Sequence, residues 1–194
     1  MHFAPDTEDT LEFLVDLINT SPLGSRSGVD ELATPAQLTV LLDKHGYSGR
    51  FDRDEGELAE VKAARELLAR VWRLDVEEAV VEVNGMLQDA SALPFLIKHD
   101  RFDWHLHATP PDAPLAERMR VEVALALADV IRSQATDRLR VCEAYDCEGV
   151  LLDLSRNGSK RFCSVRCGNR MNMVAFRERR LTENQTENLA ENQT

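Results

Sequence analysis

Hydrophobic residues recur every three or four positions along most of the chain, a spacing that places them on one face of a helix. Before residue 138, this pattern predicts five helices, over residues 8–18, 35–45, 54–73, 75–89 and 115–137. The longest apolar stripe belongs to the last of them and consists of Leu115, Met119, Val123, Leu127, Val130 and Ile131. Thr34 and Pro35 favour a helix start, because threonine caps free N–H groups and proline suits the first turn. The N-terminal part is therefore predicted to be mainly helical, with Trp72 and Trp104 in its core.

Between the fourth and fifth predicted helices, the pattern changes from a helical period to short apolar runs. Residues 93–97 and 102–107 are predicted to be two strands of a small β element. His105 and His107 alternate along the second strand, so their side chains face the same way and could together bind a metal ion. No third ligand at a suitable spacing completes such a site, so a metal centre here is the weakest of the functional interpretations.

All four cysteines of the chain lie within 26 residues, as two close pairs: Cys142, Cys147, Cys163 and Cys167. The pairs have the spacings C-x4-C and C-x3-C and are separated by fifteen residues. Each pair can supply two thiolates from one tight turn, and the two turns can enclose one tetrahedral zinc ion. Four protein ligands leave no open position, so the zinc is predicted to be structural. Two disulfides, unrelated buried thiols or an iron–sulfur cluster are the alternative interpretations.

The residues around the cysteines predict a hairpin followed by a helix. Residues 150–152 and 161–163 are predicted to be the paired strands, and residues 139–141 are a further short candidate strand. Ser164 is expected to cap a helix that runs to about Arg180. A knuckle, a hairpin and a helix carrying the last ligand together form a treble-clef-like layout.

The charges are unevenly distributed along the 194 residues, whose formal net charge is −11. Residues 138–180 contain ten Lys/Arg against five Asp/Glu, whereas the rest contains 13 against 29. A basic module on an acidic body points to nucleic-acid contact. The candidate nucleic-acid-binding residues are Arg156, Lys160, Arg161, Arg166, Arg170, Arg177, Arg179 and Arg180. Within this set, the residues that share one helix face are Arg166, Arg170, Arg177 and Arg180.

The sequence gives no support for an enzyme or for a membrane or secreted protein. The chain has neither a glycine-rich phosphate loop nor a nucleophile elbow, so we predict that it is not an enzyme. No membrane or secretory segment is predicted, which favours a cytoplasmic location, where clustered cysteines more often bind metal than form disulfides. Residues 181–194 are polar and acidic and are predicted to be a disordered tail.

Two parts of the chain resemble known families. The stretch Cys167-Gly168-Asn169-Arg170, the turn Asp153-x-Ser155-Arg156-Asn157 and the run Lys160-Arg161-Phe162-Cys163-Ser164 resemble the CGNR zinc finger. The N-terminal part resembles the ABATE domain through Asp16-x-x-Asn19-Thr20 and Glu31-Leu32-Ala33-Thr34-Pro35. Together the resemblances cover about residues 8–180 and imply a bacterial, stress-associated transcription regulator. Gly158 departs from the Arg or Lys expected in the basic loop of the finger.

The predicted fold is mainly α with a small β element. It comprises an ABATE-like helical domain (residues 1–137), a treble-clef-like four-cysteine finger (residues 138–180) and the tail (residues 181–194). We expect the finger to bind duplex DNA and the N-terminal domain to sense a small-molecule signal or form a homodimer. A protein-interaction adaptor is the alternative, and a small-molecule enzyme using the histidine pair ranks third. Asn19 is expected to cap a helix or bond a neighbouring loop rather than bind a ligand, and Asn169 to brace the hairpin rather than read an adenine.

Overall fold

The computed structural model describes residues 3–98 and 103–191, with side chains as far as residue 181. Its helices are α1 (Pro5–Asn19), α2 (Pro35–His45), α3 (Glu55–Val71), α4 (Val76–Asp89), α5 (Leu115–Arg132) and α6 (Val165–Glu191). Its strands are β1 (Phe95–Ile97), β2 (His105–His107), β3 (Leu139–Val141) and β4 (Val150–Leu152). The mainly helical fold with small β elements is thus confirmed.

The helix boundaries follow from local chemistry. Thr34 and Gln37 form a reciprocal capping box at the start of α2, as the Thr-Pro pair predicts, and Gly46 ends that helix in the left-handed conformation with φ 64°. The prediction for α5 was five residues too long. That helix ends at Arg132 because Gln134 has a positive φ of 54°, and a short 3-10 turn follows at Thr136–Arg138.

The hydrophobic core is centred on α1 and α5. Leu11, Leu14 and Leu17 of α1 are completely buried, and α1 packs against α2, α3, α5 and β4. Val150 and Leu152 of β4 belong to the same buried cluster as these helical residues. The core of the helical domain therefore continues into the four-cysteine module, and the two parts form one packed body.

The predicted N-terminal strands are present in a shorter form. β1 and β2 pair antiparallel, with Leu96 opposite Leu106, and their connection includes residues 99–102, which lie outside the described part. Trp72 is buried as predicted. The prediction that Trp104 lies in the core was wrong, because Trp104 is 67% exposed. Trp104 lies in the bend just before β2, where the described residues leave it uncovered, whereas the next residue, His105, is buried.

The hairpin of the cysteine module differs from the prediction. β4 pairs antiparallel with β3, with Arg140 opposite Leu151, whereas residues 161–163 form no strand. Arg161 contributes one backbone contact, accepting a hydrogen bond from the Glu143 N–H at 3.0 Å. All three β4 residues are buried, so the core fixes the position of this strand. β3, rather than residues 161–163, is the segment that lies next to it and pairs with it.

Helix α6 is longer than predicted. It continues to Glu191, so residues 181–191, which the composition assigns to a disordered tail, are helical. The physical reason is that no glycine or proline occurs after Gly168, and a helix that has started can add residues at little cost. Among the described helices, none combines the length and the apolar character needed to cross a bilayer.

Candidate metal centre

The four cysteine side chains converge at one point. Cys142 follows β3, Cys147 lies in the loop before β4, Cys163 precedes α6 and Cys167 is in its first turn. Their Sγ atoms all lie within 4.8 Å of one another, with Cys147 and Cys163 at 3.6 Å and Cys163 and Cys167 at 3.8 Å. A tetrahedron with zinc–sulfur bonds of about 2.3 Å has edges of about 3.8 Å. The thiols are thus positioned to bind one metal ion, which fits one structural zinc, and they form no disulfide.

Local backbone features set the position of each thiol. The Cys147 N–H donates to the Ala144 carbonyl at 3.0 Å and closes the turn between the first two cysteines, residues 142–147. The Ser164 hydroxyl accepts from the Cys167 N–H at 3.3 Å, which confirms Ser164 as the cap of α6. Gly149 suits the close packing at the thiols, because a Cβ there would lie 3.0 Å from the Cys163 Sγ, which is tighter than an ordinary van der Waals contact.

Nearby donors partly neutralise the sulfurs. N–H groups of Gly149 and Cys163 donate to Cys147 and Cys142, each at 3.4 Å. Without metal, burial raises the pKa of the Cys147 and Cys163 thiols. Burial also acts to raise the pKa of Cys167, but hydrogen bonds from Ser164 and the other thiols outweigh it and lower the pKa overall. Zinc must displace thiol protons, so metal binding here is coupled to proton release.

Two predicted DNA-contacting arginines are engaged within the protein. Arg170 forms an ion pair with Asp146 at 2.6 Å and donates to the Cys167 Sγ at 3.6 Å, so it connects the first turn of α6 to the loop before β4. Arg166 donates to the main-chain carbonyl of Arg26, in the loop after α1. The sequence showed their common helix face but not these partners, which are distant along the chain.

The other predicted basic residues lie at the surface. Lys160 donates to the Leu152 carbonyl at 3.2 Å, and Arg161 pairs with Glu143 at 2.6 Å. The remaining members of the set, Arg156, Arg177, Arg179 and Arg180, are exposed as well. Asn169, expected to brace the hairpin, is also exposed. Arg156 lies in a loop, and Arg177, Arg179 and Arg180 lie near the end of the part of α6 whose side chains are described.

Asp153 organises the basic loop that carries Arg156. Its completely buried carboxylate accepts hydrogen bonds from the N–H groups of Ser155 and Lys160, both at 2.9 Å, and from Arg140 at 3.2 Å. Burial acts to raise the pKa of Asp153, but these hydrogen bonds and that of the Ser155 hydroxyl outweigh it and lower the pKa to about 2. The carboxylate is therefore ionised in the folded protein and fixes residues 153–160.

Asn19 joins the helical domain to the cysteine module. Its side-chain amide donates to the Val150 carbonyl at 2.9 Å and accepts from the Val150 N–H at 2.8 Å. Of the two roles expected for Asn19, bonding to a neighbouring segment is the one observed. Its amide oxygen would lie 3.0 Å from a Cβ at Gly149, so the contact is adjacent to the metal ligands.

Further hydrogen bonds cross the same boundary. The Trp72 indole N–H donates to the Arg140 carbonyl at 3.1 Å, and the Glu148 N–H donates to the Leu23 carbonyl at 3.1 Å. No signal in the sequence identifies these partners, because each pair is far apart along the chain and involves a backbone group. They hold the cysteine module in a fixed position on the helical domain.

The histidine pair belongs to a separate polar network. The Nε2 atoms of His105 and His107 are 3.0 Å apart, and His107 Nδ1 lies 3.7 Å from Glu122, which also accepts from the Tyr47 hydroxyl. Among the described residues, the four cysteines are the group in which three or more possible ligand atoms lie close enough together to hold a metal ion. The histidines therefore provide no geometric support for a second metal centre.

The fold and the site define a helical domain fused to a structural zinc finger. Residues 11–134 match the ABATE family, whose description reads "Putative stress-induced transcription regulator", and residues 138–180 match the CGNR zinc finger. The first match covers more than half of the chain, so the chain belongs to the ABATE family and carries a CGNR zinc finger at its C-terminal side. A search of curated proteins gave no match.

Proposed function

We propose that the protein is a transcription regulator that binds duplex DNA through its zinc finger. The observation that carries this proposal is the set of exposed arginines on the finger: Arg156, Arg177, Arg179 and Arg180. Arginine side chains bind phosphate oxygens and base edges, and an α-helix fits the major groove of DNA. Arg177 and Arg180 are three residues apart on α6 and share a face.

The basic loop supports the same interpretation. Asp153 holds residues 153–160 through hydrogen bonds to the backbone at both ends, and this loop carries the exposed side chains of Arg156 and Lys160. A rigid loop loses little conformational entropy when it contacts a phosphate. In this proposal, the loop binds the DNA backbone while α6 enters the groove.

The N-terminal domain would supply control in the cytoplasm, by sensing a small-molecule signal or by self-association. The hydrogen bonds of Asn19 and Trp72 to the finger support this role, because a shift of the helical domain would move the finger with it.

A protein-interaction adaptor is the second candidate, favoured by a different observation. Exposed apolar side chains lie on the described part of α6, namely Met173, Phe176 and Leu181. Such residues are common in helices that bind a protein groove. The adaptor and the DNA-binding regulator would therefore use the same helix with different side chains.

The test is duplex binding by the double variant Arg177→Ala/Arg180→Ala. Each lost phosphate contact should reduce the slope of log affinity against log salt by about 0.9, and the affinity at low salt should fall at least tenfold. Fluorescence anisotropy with a mixed-sequence duplex measures both quantities. Arg132→Ala, which removes an exposed arginine from α5, is the control and should bind normally. Binding that the double variant leaves unchanged would favour the adaptor.

A further inference from the structure

The outer face of the β1–β2 hairpin is apolar and uncovered. Leu96 is 64% exposed, Trp104 67% and Leu106 47%. We refer to these three residues as the hairpin patch. Single exposed leucines are ordinary, whereas adjoining ones with a tryptophan mark an interaction site.

Strand geometry places most of the patch on one surface. Leu96 lies directly opposite Leu106 in the antiparallel register, so their side chains project from the same face. Trp104 lies in the bend just before β2, and its exposure, like that of Leu106, assigns it to the uncovered side. His105, between them, is buried on the opposite face. The hairpin therefore has an inner face on the body and an outer apolar face.

The size of the patch is suited to a two-fold interface. Scaling residue areas, about 150–250 Å² for an aromatic side chain, by the exposed fractions gives on the order of 350 Å² for the patch. This is within the range of the largest apolar patch of a monomer, roughly 300–600 Å². Two such patches facing each other would bury about 700 Å² of apolar surface, which at an apolar share of about 65% corresponds to an interface of about 1,000 Å², the lower bound for a specific contact.

The charge distribution favours this hairpin over the rest of the acidic surface as the contact between two copies. Outside residues 138–180, acidic residues exceed basic ones by 29 to 13, so two copies repel each other over most of that surface. Residues 93–108, in contrast, contain two basic and two acidic residues. At the rim of the patch, Lys98 pairs with Asp103 at 2.7 Å, and the same two charges can pair across a two-fold axis.

We propose that the hairpin patch is the contact surface of a homodimer, in which a second copy of the chain binds patch to patch. The interface is isologous, so each residue meets its own counterpart or a near neighbour. This inference deepens the self-association in the proposed function and does not require DNA binding. If the finger does bind DNA, the dimer presents two fingers to two half-sites.

Sedimentation velocity of the zinc-loaded full chain, without DNA, from about 1 to about 100 µM tests the proposal. The wild type should shift from monomer to dimer within this range. Leu96→Lys should weaken the dimer at least tenfold, because it places a charge in the apolar contact of both copies. Val40→Lys makes the same kind of change at a residue of α2 that is 70% exposed, and it should leave the dimer unchanged.

Tryptophan fluorescence gives a second readout that needs no variant. Of the two tryptophans, Trp72 is 3% exposed and Trp104 67%, so iodide quenching of the wild type reports on Trp104. Dilution from the dimer to the monomer should increase quenching. A wild type that stays monomeric with Trp104 fully quenchable throughout would overturn the proposal and leave the patch to another partner. A dimer that Leu96→Lys does not weaken would also overturn it.

Discussion

At the scale of single residues, the sequence identifies the metal ligands but not the residues that orient them. The four cysteines converge as their spacing predicts, since two pairs of soft ligands can close around one ion with little help from elsewhere. Arg170 and Asp146 could not be paired from the sequence, because nothing in a helical spacing shows which loop lies beside it. Candidate DNA contacts chosen by helix face alone therefore included two arginines that the protein itself uses.

Asp153 provides a residue-scale prediction. Its pKa is lowered to about 2 from the ordinary value of 3.8, so the ionised carboxylate stabilises the folded state by about 2–3 kcal/mol. Asp153→Asn should reduce the free energy of unfolding by this amount at neutral pH, as measured by urea denaturation. The exposed Asp137, changed to Asn, is the matched control and should have little effect.

The pH dependence follows from the direction of the shift. A lowered pKa means that the contribution is complete above the unfolded value and is lost only as the pH falls from about 4 towards about 2. The difference between wild type and Asp153→Asn should therefore be constant between about pH 6 and about pH 8. A difference that varies across this window would contradict the assignment of an ionised, hydrogen-bonded carboxylate.

At the scale of elements, helices were predictable and short strands were not. The apolar period extends over three or more turns in α1, α3 and α5, which is enough to locate a helix. Around the cysteines, three short segments could each be a strand, and the burial of β4 against α1 decides the pairing. The length of α6 was missed because polar composition indicated disorder, although the segment lacks residues that stop a helix.

The contact between α1 and β4 depends on Asn19. Asn19→Ala removes both hydrogen bonds to Val150 and should cost about 1–3 kcal/mol. Because Val150 follows the loop that carries Cys147, this variant should also bind zinc more weakly, which competition with a chromophoric chelator measures. Asn84→Ala, on the exposed side of α4, is the control. Unchanged stability and zinc affinity in Asn19→Ala would show that the contact does not support the site.

At the scale of the whole molecule, the family resemblance predicts the helical domain and the zinc finger but not that the two pack together around a shared core. The hydrophobic core includes β4, and hydrogen bonds from Trp72 and Asn19 reach the finger backbone. Such contacts depend on packing between distant segments, which no local pattern encodes. The metal should thus affect more than the finger, since the strand it helps to hold is part of the shared core.

The central claim is that one zinc ion, held by four thiolates, organises the C-terminal part of the chain. Zinc binding at such sites contributes about 10–16 kcal/mol, so its loss should unfold the finger. Native mass spectrometry before and after chelation tests this most directly. We predict one zinc per chain at first, then a mass lower by one zinc with higher charge states that report an expanded finger. A chain purified without stoichiometric zinc, or one that stays equally compact after the ion is removed, would contradict the account.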